Sequence, residues 1–424
     1  MKQKLCLISL GCDKNLVDSE MLLGVLADGE THYEFIDDEA AADVIIVNTC
    51  CFILDAKEES INTLLRVAEY KKTGTLKKLV VMGCLAERYK DEIIKEIPEV
   101  DKVIGVDEFE NFIKDNYPRS RMLSTGGWYA YLKIAEGCNK HCTYCIIPKL
   151  RGNFRSYPME LLIKQAEQLA EAGVKELIVV AQETTVYGTD IYGKKALPEL
   201  LHRLCEIEGL RWIRLMYAYP EEITDELIDT MASEPKICHY IDMPIQHASD
   251  NVLKRMGRRT SRADIERITD KLRAAMPDIV IRTTLIDGFP GETDEDHEIL
   301  LDFVNSMEYE KLGAFTYSAE EGTPAAEFEN QIPEDIKEAR RDDVMSLQQE
   351  ISTEFLQGMT GKTLDVMIEG WLPEDNIAVG RTYMDAPDID GYIFVESEKR
   401  HDSGTFVKAI VTGSSEYDLI GKEI

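Results

Sequence analysis

Short apolar runs alternate with amphipathic helical stretches along most of this chain, and that alternation is what most restricts its fold. Strands separated by helices must run parallel, because a helix returns the chain to the edge from which the previous strand began. Apolar runs at 5–10, 44–47 and 79–82, with helical patterns at 18–27 and 58–72, predict an open, mostly parallel α/β sheet in the first part of the chain. Strand candidates then recur near 129–135, 175–181, 211–217, 238–243, 279–286 and 312–317. Amphipathic stretches such as 159–172 and 293–306 separate them, which predicts a parallel sheet curled into a partial barrel of six strand–helix units. A helix over 333–357 would end that domain.

From residue 359 the pattern changes. Short β-rich runs at 363–368, 377–382, 392–395 and 405–411, separated by glycines and Pro-Asp turns, predict a small antiparallel β-barrel. The 424 residues are enough for two or three domains, and the boundaries expected are 1–120, 127–357 and 359–424. The polar stretch 115–127, with Pro118, Gly126 and Gly127, reads as the linker between the first two.

Charge narrows the partners. Acidic residues outnumber basic ones 79 to 48, a net charge of −31, and the terminal segment from 359 carries 13 acidic against 6 basic residues. Such a surface repels phosphate backbones, so direct nucleic-acid binding is not expected, whereas a basic protein partner would be attracted. A cluster of Lys254, Arg255, Arg258, Arg259 and Arg262 is the local exception, and reads better as a solvated helix face or a cofactor-side anchor than as an RNA site. No uncharged run approaches the roughly 20 residues that span a bilayer, and the N-terminal apolar stretch runs into Asp13 and Lys14 without a small-residue cleavage site. A cytoplasmic protein without a membrane partner is expected.

Ten cysteines in a reducing compartment point to metal ligation or catalysis more than to disulfides. Three of them close the three N-terminal apolar runs: SLGC at Cys12, VNTC at Cys50 and VMGC at Cys84. Ligands bind at the carboxyl edge of a parallel sheet, so the three thiols could converge there. Cys138, Cys142 and Cys145 form a C-x3-C-x2-C array after the first strand of the second domain, and three thiolates so close can hold three irons of a four-iron, four-sulfur cluster. The fourth iron would then be open to a cofactor. A zinc site completed by His141 is the alternative, but His141 and Cys142 are adjacent and would serve one tetrahedral ion awkwardly. Cys6, Cys205 and Cys238 sit in apolar patterns and read as core. Cys51 is ambiguous, since neighbouring residues of an extended chain point to opposite sides and only one of Cys50 and Cys51 would serve a site.

The C-x3-C-x2-C array resembles the signature of the radical S-adenosylmethionine enzymes, and that resemblance implies a central partial (β/α)6 barrel. It also implies S-adenosylmethionine as the cofactor, chelating the open iron and cleaved on reduction to a 5′-deoxyadenosyl radical. Tyr144, Gln182, Glu183 with Thr184, Gln246, and the Gly288-Phe-Pro-Gly291 turn match the segments where this superfamily holds the cofactor. Taken with the N-terminal trio and a terminal TRAM-like barrel, the whole chain is similar to the methylthiotransferases. That family implies a second four-iron, four-sulfur cluster on Cys12, Cys50 and Cys84, S-adenosylmethionine as methyl donor as well as radical source, and an electron donor protein. No motif names the sulfur donor, and no residue is singled out for proton transfer.

The opening SLGCDKNLVDSE resembles the branch that modifies an aspartate β-carbon in small-subunit ribosomal protein S12, with Asp13 where proline is common, and the closing EYDLIGKEI resembles the same branch. The acidic charge favours this protein substrate over the family's other substrate, an adenosine of tRNA. A non-catalytic iron-sulfur or zinc scaffold is the alternative from a different class.

Overall fold

A computed structural model describes every residue except 1, 30 and 75. The chain forms two compact units. One comprises Met1–Ser124 with Glu136–Arg155 and Ser318–Ala326; the other comprises Thr125–Ala135, Ser156–Tyr317 and Glu327–Ile424.

The first unit is built on a five-stranded sheet in which every pairing is parallel. Its three central strands are Gln3–Ser9, Val44–Thr49 and Lys78–Gly83. They carry the apolar runs seen in the sequence, and the middle one is buried on both faces, as near-continuous Val/Ile runs require. Two flanking strands, Tyr33–Phe35 and Lys102–Ile104, are three residues long and too short to establish a period. Apolar clusters form on both faces of the sheet, one around Ile45, Val47, Leu79 and Val81, the other around Leu5, Val44, Ile46 and Val80.

The stretch expected to be a linker is irregular backbone, but its first part is not a loose tether. Arg121 is ion-paired at 3.0 Å with Glu20 of helix Asp13–Asp28, and both side chains are buried. A Cβ at Gly24 of that helix would lie 2.3 Å from the carbonyl oxygen of Ser120, so glycine is what lets the segment lie against the helix.

The second unit contains all six barrel strands: Tyr129–Lys133, Glu176–Val180, Trp212–Leu215, Ile237–Asp242, Val280–Asp287 and Lys311–Thr316. They pair in parallel in strict chain order. A sheet that never reverses its winding keeps its crossover helices on one side and curls, unlike the first unit, where the second strand in sequence lies outside the first. Helix Glu334–Gln357 follows the last strand. The closing barrel has five strands, Thr363–Leu372, Ile377–Arg381, Ile393–Glu396, Phe406–Ser414 and Leu419–Glu423. The fifth lies in the short Leu-Ile-Gly run, which has too few apolar residues to predict a strand. It pairs in parallel with Ile393–Glu396, so the barrel is antiparallel except at that seam. No helix among the described residues is long and apolar enough to cross a membrane.

Candidate metal and cofactor site

Cys12, Cys50 and Cys84 stand just beyond the ends of three neighbouring strands. Register pairs Ser9 with Asn48 and Thr49 with Gly83, which brings the three turns to one edge of the sheet. Cys12 precedes helix Asp13–Asp28, and Cys84 opens the short helix Cys84–Arg88. The turns are held by buried hydrogen bonds between elements. Asn15 Nδ2 donates to the carbonyls of Leu10 at 2.9 Å and Thr49 at 3.0 Å, Asn48 Nδ2 donates to the Asn15 carbonyl at 2.8 Å, and Thr49 Oγ1 donates to Met82 O at 2.6 Å. Ser60 Oγ accepts from Cys50 N at 2.9 Å and donates to Cys50 O at 2.8 Å, fixing both backbone groups of that cysteine. Gly11, at φ +84°, passes so near that a Cβ there would lie 2.8 Å from Cys50 Sγ.

The thiols are close enough to influence one another. Burial, with Cys12 and Cys84 nearby, pushes the Cys50 thiol up to about 12. Burial also raises Cys84, against the pull of the Arg151 guanidinium. Cys51 has no exposed surface and lies in the apolar cluster with Ile45, Val47 and Leu64, a cluster that also takes in Cys84, and burial with the Cys84 thiol nearby pushes Cys51 up to about 12. Cys6, Cys205 and Cys238 are buried as well.

The C-x3-C-x2-C array belongs to the same compact unit. It is an irregular loop ending in the one-turn helix Ile147–Leu150. Cys138 N donates to Gly152 O at 3.2 Å, Phe154 N to Asn139 Oδ1 at 3.0 Å, and Cys145 N to Cys142 O at 3.0 Å. His141 takes a left-handed conformation at φ +53°, which turns the chain between the first two thiols. Its side chain is exposed while Cys138 and Cys142 are buried, so it does not join them as the zinc alternative requires. Burial pushes Cys145 up to about 12, with Cys142 and Cys138 adding to the effect.

Among the described residues no three His, Cys, Asp or Glu side chains are gathered as ligands of a single ion. A four-iron cluster takes each thiolate on a different iron, so its ligands need not meet at one point. The donors fit such a group in kind: three soft thiols in each set, with a guanidinium beside one of them to offset thiolate charge.

That guanidinium, Arg151, was missed in the sequence. Its Nε donates to Cys84 Sγ at 3.3 Å, and its Nη1 is 3.0 Å from both Asp18 and Glu136, while Nη2 donates to Asn15 Oδ1. The side chain is 2% exposed, and the surrounding negative groups hold it charged. Its partners Asn15 and Asp18 lie three apart on one helix face, and two buried polar residues at that spacing were the available signal.

In the second unit the expected cofactor residues fall at the carboxyl ends of barrel strands, where such folds place ligands. Gln182 and Glu183 follow Glu176–Val180, with Glu183 buried and accepting from Thr185 Oγ1. Thr184 Oγ1 donates to the carbonyls of Met216 at 2.9 Å and Tyr217 at 3.1 Å. Gln246 has φ +73°, and its backbone pairs with the neighbouring strand through Thr284 O at 2.9 Å. Gly288 has φ +72°, and a Cβ there would meet Lys337 Cγ at 2.2 Å, so packing against that lysine accounts for glycine at this position without a cofactor. Tyr144 is half-buried within the cysteine loop of the first unit. The basic cluster does not form one surface. Arg258 is buried and donates to Pro244 O at 2.9 Å, Arg255 donates to Pro290 O at 2.8 Å, and Arg262 is paired with Glu266 and Asp302.

This sheet and thiol array are those of a radical S-adenosylmethionine protein. The Radical SAM superfamily model matches residues 132–304, the model for Uncharacterized protein family UPF0004 matches 4–105, and the TRAM domain model matches 360–424. Among solved structures the fold is similar to the radical S-adenosylmethionine methyltransferase TsrM from Kitasatospora setae, at TM-score 0.55 and 14% identity over 76% of this chain and 75% of that one. It is also similar to the cobalamin-dependent S-adenosylmethionine radical enzyme OxsB, at TM-score 0.53 and 13% identity over 82% and 56%.

Curated relatives bring the resolution down to a family. The ribosomal protein uS12 methylthiotransferase RimO of Lachnoclostridium phytofermentans is 58% identical, covering 99% of both chains. Those of Acetivibrio thermocellus and Clostridioides difficile are 50% and 49% identical, over 100% and 99% of this chain and 99% and 98% of theirs. The chain belongs to the RimO family of ribosomal protein uS12 methylthiotransferases. With the radical S-adenosylmethionine class come S-adenosylmethionine and a four-iron, four-sulfur cluster.

Proposed function

We propose that this protein adds a methylthio group to the β-carbon of an aspartate in ribosomal protein S12, using two four-iron, four-sulfur clusters. In this reading Cys138, Cys142 and Cys145 hold the cluster that binds S-adenosylmethionine, and Cys12, Cys50 and Cys84 hold the second. Tyr144, Gln182, Glu183, Gln246 and Gly288 contact the cofactor. When bound, the clusters and S-adenosylmethionine would supply hydrogen abstraction from an unactivated carbon and the methyl of the group that replaces the hydrogen.

What the chain itself contributes is placement and charge. Arg151 steadies negative charge on the Cys84 sulfur and ties that turn to Asn15 and Asp18. Burial keeps water from the thiols of Cys50, Cys84, Cys138 and Cys142. The Ser60 and Asn15 hydrogen bonds hold the strand-end turns in one arrangement before any metal arrives, so ordering them is not charged against metal binding. The N-terminal sheet, the six-stranded barrel and the terminal barrel act as the domains 1–120, 127–357 and 359–424, working in the cytoplasm with an electron donor protein.

The observation that carries the reading is the presence, in one compact unit, of a strand-end trio of thiols and a separate C-x3-C-x2-C trio, in a chain related to uS12 methylthiotransferases over its full length. Anaerobic reconstitution with iron and sulfide counting tests it: about eight irons per chain are expected, as two four-iron clusters require. Incubation with S12 should then add one methylthio group to an aspartate. Four irons, or modification of tRNA in place of S12, would overturn the reading.

A further inference from the structure

The amino-terminal mouth of the six-stranded barrel is closed by residues 381–390 of the terminal β-barrel, and every strand contributes to the closure. Tyr129 OH donates to Asp388 at 3.3 Å, Glu176 is ion-paired with Arg381 at 2.6 Å, and Arg214 donates to Tyr383 O at 2.6 Å. Tyr240 OH donates to Asp390 Oδ2 at 2.7 Å, Arg282 lies 3.6 Å from Asp390 Oδ1, and Lys311 pairs with Asp385 at 2.8 Å. One strand after another thus places a polar group against the same ten-residue segment.

From this floor a line of charged and polar groups runs through the sheet. Arg282 Nη1 donates to Asp242 Oδ1 at 2.8 Å, and Asp242 Oδ2 accepts from the backbone N of Tyr217 at 3.2 Å. Tyr217 is held in a left-handed conformation, φ +59°, which costs a non-glycine residue of the order of 1 kcal/mol and persists only where neighbours enforce it. Its carbonyl in turn accepts from both N and Oγ1 of Thr184, beside Gln182 and Glu183. The side chains of Asp242 and Asp390 are 2% and 3% exposed, so their charges act in a poorly screened setting.

We infer that Asp390 is a positioning residue for the cofactor: it anchors Arg282, which holds Asp242 and through it the Tyr217 turn and the Gln182–Thr184 segment. The terminal barrel is then a working part of the radical domain. This inference rests on the reading that S-adenosylmethionine lies against Gln182 and Glu183. Removing Asp390 takes away the second carboxylate that orients the Arg282 guanidinium, together with the acceptor for Tyr240 OH and Ala386 N, so that Asp242 and the strained Tyr217 turn are held on one side only.

Equilibrium dialysis of S-adenosylmethionine against the reconstituted holoenzyme, with iron content and Tm measured on the same samples, tests it. Asp390→Ala should weaken binding about tenfold, the coupling expected of a buried network, with iron content unchanged. Lys311→Met breaks an ion pair of the same floor that involves neither Arg282 nor Asp242, and should lower Tm by stranding the buried Asp385 while keeping affinity within about twofold of wild type. If Asp390→Ala does not fold, Asp390→Asn, which keeps the side-chain shape, serves in its place. Equal weakening by the Asp390 and Lys311 variants, or wild-type affinity in the Asp390 variant, overturns the inference alone. Wild-type holoenzyme that binds no S-adenosylmethionine overturns the cofactor reading and the inference together.

Discussion

The two cysteine sets of the first unit are assembled by opposite means. Cys138, Cys142 and Cys145 lie within eight residues, and local hydrogen bonds such as Cys145 N to Cys142 O shape their loop. Cys12, Cys50 and Cys84 come from three strand ends and meet only because the sheet has the register it has. A local set depends on turn geometry; a dispersed set depends on the whole fold. The dispersed set is accordingly the one wrapped in buried inter-element hydrogen bonds and the one with an arginine wedged beside it.

The largest effects should come from removing the sets in turn. Alanine at Cys138, Cys142 and Cys145 should remove half the iron and abolish S-adenosylmethionine cleavage, whereas alanine at Cys12, Cys50 and Cys84 should remove the other half and leave cleavage intact. Iron counting with quantification of 5′-deoxyadenosine reads both, and total iron loss from either triple variant would erase the distinction between the sets. Next in size is Arg151→Met. Taking one partner from a buried ion cluster costs about 3–5 kcal/mol, here by stranding Asp18 and Glu136. The loss of iron should fall on the dispersed set, because the thiol this guanidinium donates to, that of Cys84, belongs to it. Equal loss from both sets would show that Arg151 supports the unit as a whole.

The same contrast explains how much could be read from sequence. The local array is visible as a spacing, and the strand-end trio as a repeated position, because each apolar run terminates in its cysteine. All six barrel strands were legible for the same reason, being apolar runs at regular intervals. What escaped was set by pairing at a distance. Tyr33–Phe35 and Lys102–Ile104 are strands only because a longer strand lies beside them, and Leu419–Glu423 is a strand because the barrel closes through it. Arg151 belongs to the trio by contacts 67, 133 and 136 residues distant in sequence, and no local pattern encodes that. Asp287 escaped likewise. Its carboxyl is fully buried with neither oxygen hydrogen-bonded, and burial beside Glu292 pushes it up to about 8, although in the sequence it is one more polar residue before a glycine turn.

A smaller effect should follow from Gly11→Ala. The positive φ alone costs about 1–2 kcal/mol, and the added methyl would press on Cys50 Sγ. Dispersed-set iron should therefore become less stable to chelators while cleavage by the local set continues at its wild-type rate. Chelator challenge followed by iron counting measures this, and an unchanged rate of iron loss would mean that the Cys50 turn is softer than its hydrogen bonds suggest.

The smallest effect sharpens the comparison most, because it concerns one atom's direction. Cys50 and Cys51 are consecutive, yet Cys50 has both Cys12 and Cys84 as neighbouring thiols and its backbone fixed by Ser60, while Cys51 has no exposed surface and lies in the apolar cluster that also takes in Cys84. Cys51→Ala should then behave as a core truncation, lowering stability by about 1 kcal/mol and leaving all eight irons in place. Cys50→Ala should release the dispersed-set iron at little cost in Tm. If Cys51→Ala loses the iron and Cys50→Ala keeps it, the ligand position shifts by one residue. The Ser60 hydrogen bonds to the Cys50 backbone would then be fixing the neighbour of the ligand instead of the ligand itself.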